Sequence, residues 1–119
     1  MDRVRGTKQL GIAGEQLVAE YLVIQGFTIR ARNFVSRYGE IDLIASKDEL
    51  MVFVEVKTRT TKTDFRHDLI SFSKQQKIIK TMKYYCSSLA DQYALRCDVA
   101  FVHDNAVEYI EGAFTPESY

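Results

Sequence analysis

The spacing of apolar residues along the chain predicts two helices. Apolar positions recur every three or four residues over 7–26, which is typical of a helix with one buried face. A second helix with the same periodicity is predicted over 73–89, with its lysines turned outward. The residues expected on the buried face of the first helix are Leu10, Ala13, Leu17, Tyr21 and Ile24, flanked by Val18 and Leu22. Those expected on the inner face of the second are Ile78, Ile79, Met82, Tyr85, Cys86 and Leu89.

Alternating or continuously apolar segments predict five strands. A polar turn over 47–49 separates two apolar runs, which indicates a buried hairpin, whereas the polar segment 59–70 indicates a loop. The predicted strands cover 27–32, 41–46, 50–58, 95–102 and 107–110. The resulting order, α-β-β-β-α-β-β, predicts an α/β fold in which helices flank a central mixed sheet.

Length and composition are those of one globular domain, 1–119. With 119 residues, of which 46% are hydrophobic and 27% charged, the chain can bury a core without disulfides. No apolar stretch approaches the ~20 residues of a membrane span, and we find no signal-peptide pattern. Cys86 and Cys97 lack metal-ligand spacing and are expected to be buried free thiols. We therefore expect a cytoplasmic protein with no membrane partner.

Charge is balanced overall but unevenly distributed. The net charge is zero, yet 57–83 holds eight Lys and Arg against two Asp, whereas 84–119 holds one Arg against six acidic residues. A basic block next to the apolar hairpin indicates a local surface for a polyanion. A solvated lysine-rich helix face is the structural alternative.

Three charged residues stand inside the two apolar strands of the predicted hairpin: Asp42, Glu55 and Lys57. Because side chains alternate across a strand, Glu55 and Lys57 share a face, and pairing about Asp48 places Asp42 near Glu55. Two such carboxylates repel each other unless a proton or a divalent cation joins them, and Mg²⁺ (or Mn²⁺) suits hard oxygen ligands. The pattern therefore predicts a metal-dependent site, with an ion pair to Lys57 as the structural alternative.

The first helix carries a further candidate, Glu15. Gly11 and Gly14 leave a stripe without side chains, which permits close approach of the helix to the sheet. Glu15 beside this stripe would then point into the site as an additional ligand. The alternative is an exposed glutamate favoured by the helix N-terminus.

Other polar and aromatic residues suggest more modest roles. Asp98 is expected to make a structural bond to Arg96 or to a loop amide. Tyr84 and Tyr85 are expected to pack, although one exposed ring would be able to stack on an unpaired base.

Short segments spread over 11–102 resemble the bacterial YraN-like family. They are Gly11-x-x-Gly14-Glu15, Tyr21-Leu22, Gly26-Phe27, Arg32-Asn33, Gly39-Glu-Ile-Asp-Leu-Ile-Ala45, Phe53-Val-Glu-Val-Lys57-Thr-Arg59 and Arg96-Cys-Asp-Val99. Members of this family are similar to archaeal Holliday junction resolvases and belong to the restriction-endonuclease-like, PD-(D/E)xK nuclease superfamily. The resemblance implies that superfamily's core order, α-β-β-β-α-β, which agrees with the order predicted from the hydrophobic pattern.

The resemblance also implies roles for individual residues. Asp42 and Glu55 would be metal ligands with the Val56 carbonyl as a further oxygen, Lys57 the catalytic lysine, and Glu15 the helix-borne acid of resolvase-like members. The candidate nucleic-acid contacts are Arg59, Lys74, Gln75 and Lys77, with Lys74 or Gln75 as the polar group that some members carry on the second helix.

The favoured function is therefore a Mg²⁺-dependent endonuclease that hydrolyses phosphodiester bonds in DNA, in a branched or otherwise structured form. Resemblance to junction resolvases implies a homodimer, because two symmetric strands need two cuts. The alternative is a nucleic-acid-binding or protein-interaction module without useful turnover, which the zero net charge favours. RNA cleavage or tRNA-linked repair on the same scaffold is a third interpretation.

Overall fold

The computed structural model describes residues 3–59 and 70–115, with the side chains of the first helix described from residue 9 onward. Its elements are α1 (Arg3–Ile24), β1 (Thr28–Ser36), β2 (Gly39–Lys47), β3 (Leu50–Thr58), α2 (Phe72–Cys86), β4 (Ala94–His103) and β5 (Ala106–Phe114). The predicted order, α-β-β-β-α-β-β, is confirmed. Most of the loop predicted over 59–70 lies outside the described residues.

One five-stranded mixed sheet organises the fold, with the strands in the order β1-β2-β3-β4-β5. Neighbouring strands are antiparallel except β3 and β4, which are parallel. Parallel strands need a crossover connection, and here α2 lies in it. The prediction of an α/β fold with a mixed sheet flanked by helices is confirmed.

The two faces of the sheet carry separate hydrophobic cores. α2 packs on the face formed by Phe53, Met51 and Ile44. On the opposite face, α1 contributes Val18 and Leu22 to a core with the alternate strand residues. The central residues of β2 and β3 are therefore buried on both faces of the sheet.

The buried face of α1 differs from the predicted one. Val18 and Leu22 are fully buried, and Leu17 and Tyr21 pack at the edge of the core. Leu10, Ala13 and Ile24, predicted to face the core, are exposed, Leu10 by 44% and Ile24 by 81%. Apolar residues on α1 fill two adjacent stripes, and the position of the sheet decides which of them is covered.

Local signals explain the limits of α2. Ser71 is the N-cap, and its hydroxyl accepts a hydrogen bond from the Lys74 amide at 3.2 Å. The helix ends at Cys86, three residues earlier than predicted, where the Ser87 hydroxyl and amide bond to the carbonyl of Tyr84. The predicted inner face is confirmed, with Ile78, Ile79 and Met82 buried.

The edge strands β1 and β5 are longer than predicted. Both are half exposed, so their hydrophobic pattern is weaker than that of the central strands.

Neither helix, within the described residues, has the length and apolar character that crossing a bilayer requires. Both cysteines are free thiols as predicted; Cys97 is buried and Cys86 half-buried.

Candidate functional site

Strand pairing is interrupted on both sides of Asp42. On one side, β1 pairs with β2 through Arg32–Leu43 and Phe34–Ile41, and Asn33, which lies opposite Asp42, is left out of this register. On the other side, the register of β2 with β3 ends at Leu43. Local breaks in a ladder redirect side chains and are frequent beside active sites. Asp42 thus lies where the central hairpin opens.

A backbone amide of β3 holds the Asp42 carboxylate. Val56 N donates to Asp42 Oδ2 at 2.8 Å, beyond the end of the paired register. The Asp42 residue is only 9% exposed. Because the N–H and C=O of one strand residue point toward the same edge, the Val56 carbonyl faces the β2 side of β3, where Asp42 lies.

Glu55 lies beside Asp42 on the α2 face of the sheet. The two carboxyl groups are close enough to share a hydrogen bond, as the hairpin pairing predicted. Burial and then the charge of Asp42 raise the pKa of Glu55 from 4.5 to about 7, with Lys74 acting against both effects. The Glu55 side chain is 11% exposed and receives an ion pair from Lys74 Nζ at 3.1 Å.

Lys57 follows Glu55 on the same face of β3. Burial lowers the pKa of its ammonium, as do the nearby charges of Arg59 and Lys74, whereas Glu55 raises it. The site therefore contains groups of both signs whose pKa values shift toward neutrality. Such shifts are typical of functional clusters, although structural ion-pair networks also produce them.

Glu15 approaches Asp42 from the other side of the sheet. Burial and then the charge of Asp42 raise the pKa of Glu15, while a hydrogen bond with Asn33 lowers it. Gly14 makes this approach feasible, because a Cβ at that position would collide with the Thr58 hydroxyl. Gly11 has no neighbour within 4 Å, so only one glycine of the predicted stripe is needed for close packing.

The candidate nucleic-acid contacts separate into different environments. Lys74 forms an ion pair with Glu55. Lys77 is exposed and lies beside Gly39, so close that a Cβ added to Gly39 would be 3.3 Å from the Cβ of Lys77. Arg59 donates to the Thr58 carbonyl at 3.0 Å. Gln75 donates to the Ile70 carbonyl at 2.9 Å and lines an apolar cavity of about 120 Å³. Of the two polar groups suggested for α2, it is Lys74 that contacts the carboxylate pair.

Sequence reasoning did not identify Asn33 as part of this cluster. Its φ is +49°, in the left-handed region that Asn tolerates better than most residues, and its side chain bonds to Glu15. The available signal was an Asn that interrupts the alternating pattern after 27–32. It explains why the predicted strand ended at Arg32, whereas β1 continues beyond the irregularity.

The donor set is consistent with a hard divalent cation. Mg²⁺ in proteins is typically held by one or two carboxylates together with waters and substrate phosphates. Asp42 and Glu55 supply two carboxylates, and the Val56 carbonyl points toward the same edge. Within the described residues, no three His, Cys, Asp or Glu side chains converge as a ready-made ligand group. The arrangement suits a cation that keeps several water ligands.

A second buried carboxylate, Asp98, has a different environment. It receives hydrogen bonds from Arg96 Nε and Nη2 at 2.9 and 3.0 Å, from the Tyr109 hydroxyl at 2.5 Å and from the Gly112 amide at 2.9 Å. The predicted bond to Arg96 is confirmed, and the backbone amide belongs to β5 rather than to a loop. Asp98 links β4 to β5, and we call Asp98, Arg96, Tyr109 and Gly112 the Asp98 network.

A cavity of about 500 Å³ is lined by Lys47 and Leu50 at the turn of the β2–β3 hairpin and by Tyr21 of α1. The carboxylate pair lies toward the other end of that hairpin. None of the candidate catalytic residues lines this cavity.

The chain is similar to a large group of bacterial proteins. The family described as "Uncharacterised protein family UPF0102" matches residues 14–102. A UPF0102 protein of Thermodesulfovibrio yellowstonii is 39% identical over 107 residues, covering 89% of this chain and 96% of the relative. A UPF0102 protein of Caldanaerobacter subterraneus is 43% identical over 100 residues, covering 82% of each chain. One of Myxococcus xanthus is 36% identical over 114 residues, covering 90% of each.

Proposed function

The chain belongs to the UPF0102 family, and we propose that it is a Mg²⁺-dependent endonuclease that hydrolyses phosphodiester bonds in DNA. The proposal also places it in the restriction-endonuclease-like, PD-(D/E)xK superfamily. The order and mixed sheet of the fold are compatible with that core.

The observation that carries the proposal is the Asp42–Glu55 pair. Two carboxylates within hydrogen-bond reach of each other are costly inside a protein, and here burial and then the charge of Asp42 raise the pKa of Glu55 to about 7. A purely structural role would favour neutral or fully paired groups at this position. A divalent cation would remove the repulsion, which is why the arrangement suits a metal site.

Asp42 and Glu55 would hold the cation together with the Val56 carbonyl, and Glu15 would contribute from α1. When bound, Mg²⁺ supplies charge stabilisation at a phosphate oxygen and lowers the pKa of a coordinated water. The Val56 amide helps to fix the orientation of Asp42, since it donates to Oδ2 of the carboxylate.

Lys57 would orient the attacking water or neutralise charge that develops on the phosphate. Its position two residues after Glu55 on one strand places both groups on the same face of the sheet. Its lowered pKa keeps it closer to neutrality than an exposed lysine. Arg59, next along the strand end, would bind a non-bridging phosphate oxygen as a charged donor.

Branched or structured DNA is the proposed substrate form, on the basis of resemblance to junction resolvases. The same resemblance favours a homodimer, which would place two sites on two strands. The basic block over 57–83, whose described part includes α2, provides a surface for the phosphate backbone.

A binding module without turnover is the second candidate, and two observations favour it. The net charge of the chain is zero, whereas strong duplex binders are usually basic. Lys74 already forms an ion pair with Glu55, so a cation would have to compete with an ammonium for that carboxylate. Both candidates use the same surface, and only turnover distinguishes them.

A cleavage assay tests the enzymatic proposal. Labelled four-way junctions, flaps, single strands and duplexes are incubated with Mg²⁺ or Mn²⁺ and either the wild-type protein or Glu55→Gln. We expect cleavage that requires the metal and is lost in Glu55→Gln. The matched control is Glu49→Gln, the same change at the exposed turn of the same hairpin. Equal cleavage by wild type and Glu55→Gln, or none by either, would favour the binding module.

Metal binding is measured separately by calorimetry. The double variant Asp42→Asn/Glu55→Gln should lose Mn²⁺ or Mg²⁺ binding that Glu49→Gln retains. Below about pH 7 Glu55 is protonated and must release its proton to bind a cation. Affinity of the wild-type protein should therefore fall up to about tenfold per pH unit below that value. Unchanged binding in the double variant would place the metal elsewhere.

A further inference from the structure

α2 presents exposed residues in a row that starts at the carboxylate pair and ends at aromatic rings. Lys74, Lys77 and Tyr84 are exposed and lie at spacings of three and seven residues, which places them on one side of the helix. The helix has four lysines and no acidic residue. Its charge therefore complements a polyanion along its whole length.

The row follows the seam between α2 and the turn that joins β1 to β2. Near the start of the helix, Lys74 pairs with Glu55. Farther along, the Thr81 hydroxyl lies 3.1 Å from that of Ser36, which fixes the β1–β2 turn against the helix. Glu55 and the β1–β2 turn thus both contact α2, Glu55 near the start of the helix and the turn farther along it.

Two tyrosines and an arginine form the far end. Tyr84 is 55% exposed, and its ring centroid lies 6.3 Å from that of Tyr38 at an interplanar angle of 63°. The Arg37 guanidinium lies 4.9 Å from the centre of the Tyr38 ring and donates to its hydroxyl at 2.8 Å. Tyr85, by contrast, packs inward against Phe34. The Tyr84 ring also lies 6.3 Å from that of Phe34, yet of the two adjacent tyrosines Tyr84 is the exposed one.

We infer that this row, formed by Lys74, Lys77, Tyr84, Tyr38 and Arg37, binds an unpaired nucleic-acid strand and that a base stacks on Tyr84. The inference deepens the proposed function and rests on it. Aromatic rings interleaved with cations are what single strands need, because bases stack on rings while phosphates bind Lys and Arg. A duplex buries its base faces and offers nothing to an exposed tyrosine ring.

The length of the row limits how much strand it holds. Ten residues of α-helix separate Lys74 from Tyr84, a rise of about 15 Å. Stacked nucleotides advance by about 3.4 Å each along a strand, so the row spans about four nucleotides. The substrate class is therefore DNA with a short unpaired segment next to the phosphate that is cleaved.

The test measures binding rather than cleavage. Fluorescence anisotropy is recorded without divalent ions on a labelled duplex that contains a four-nucleotide gap. The same DNA is prepared with an abasic site at each unpaired position in turn. The proteins are wild type, Tyr84→Ala and the ring-preserving control Tyr84→Phe, all checked for folding by circular dichroism.

We expect Tyr84→Ala to weaken binding of the gapped DNA at least about fivefold and Tyr84→Phe to bind as wild type. When the abasic site replaces the base that stacks on Tyr84, the affinity of the wild-type protein should fall by the same factor. The affinity of Tyr84→Ala should not fall further, because this variant has no ring for the base to stack on. An equal effect of Tyr84→Ala on gapped, abasic and fully paired DNA would overturn the stacking assignment, as would no effect at all.

The outcome separates this inference from the proposed function. Tyr84-dependent binding without metal-dependent cleavage would support the strand surface and contradict the nuclease. If Tyr84→Ala binds and cleaves gapped DNA as the wild-type protein does, the nuclease would be supported and the strand surface contradicted. An RNA strand of the same sequence is included, and tighter binding to it would support the surface while contradicting DNA as the substrate.

Discussion

Two groups of buried carboxylates lie in the same sheet and differ in the partners that surround them. Asp98 is fully buried and accepts four hydrogen bonds, two of them from one guanidinium. Asp42 and Glu55 face each other, and their described partners are one backbone amide and one lysine that is half exposed.

The difference is one of compensation. In the Asp98 network, donors outnumber acceptors, so the negative charge stabilises β4 against β5. At the Asp42–Glu55 pair, burial and the neighbouring carboxylate raise the pKa of Glu55 to about 7, so the ionised pair carries a local cost in the folded chain. A buried carboxylate is therefore weak evidence of function by itself, and the balance of its partners carries the information.

The largest effect should follow from removing Asp98. Asp98→Ala removes the acceptor of Tyr109 and of the Gly112 amide and leaves the Arg96 guanidinium with Glu111 at 3.4 Å, which costs about 3–5 kcal/mol of unfolding free energy. Urea denaturation measures it. A loss below about 1 kcal/mol would show that the Asp98 network contributes little to stability. The contrast between Asp98 and the Asp42–Glu55 pair would then be wrong.

The second-largest effect should follow from neutralising Glu55, and it should increase the stability of the protein in a way that depends on pH. Because the folded state raises the pKa of Glu55 from 4.5 to about 7, its protonated form is favoured on folding. That stability is fully present below pH 4.5 and is lost as pH rises through 7.

Glu55→Gln, which resembles the protonated acid, should therefore stabilise the protein at pH 8 by up to about 3 kcal/mol and change little at pH 4.5. Urea denaturation at both pH values, without divalent ions, tests the prediction, with Glu49→Gln as control. Destabilisation by Glu55→Gln at pH 8 would mean that Glu55 is as well compensated as Asp98.

A smaller effect concerns how closely α1 approaches the site. A Cβ at Gly14 would overlap the Thr58 hydroxyl, so Gly14→Ala should cost about 1–3 kcal/mol through overpacking. Gly11→Ala is the matched control on the same helix, and with open space around it the change should stabilise by up to about 1 kcal/mol. Thermal denaturation of both variants decides, and equal effects would show that α1 does not pack tightly here.

The smallest effect on the fold should come from Lys57. Lys57→Ala removes a half-buried side chain at a strand end, and we expect less than about 1 kcal/mol of change in unfolding free energy. Cleavage in the junction assay should nevertheless be abolished. A variant that still cleaves at the wild-type rate would exclude Lys57 from catalysis.

Much of the arrangement could be predicted from sequence because it depends on local rules. The apolar runs around the turn at Asp48 predict the β2–β3 hairpin, and counting from that turn places Asp42 next to Glu55. Alternation along β3 places Lys57 with Glu55. Periodicity predicts the buried face of α2, since Ile78 and Met82 repeat at helical spacing against a sheet on one side only.

Other features depend on tertiary context and were not predictable. The face of α1 was placed wrongly because Leu10 and Ile24 fit the period equally well, and only the position of the sheet leaves them exposed. The irregularity at Asn33 could not be predicted, because it depends on the pairing that places this residue of β1 opposite Asp42. Likewise, the pairing of Tyr38 with Tyr84 joins a turn to a helix far away in sequence.

The parallel pairing of β3 with β4 has a consequence for the order of assembly. β2 and β3 can meet through a short turn, whereas β4 joins β3 only after the chain from Thr58 to Ala94 has closed. Closing a long connection is entropically slow compared with forming a hairpin. Until it happens, the apolar edge of β3 is open to other chains, so we expect nascent or partly unfolded protein to aggregate through the same strand that carries Glu55 and Lys57.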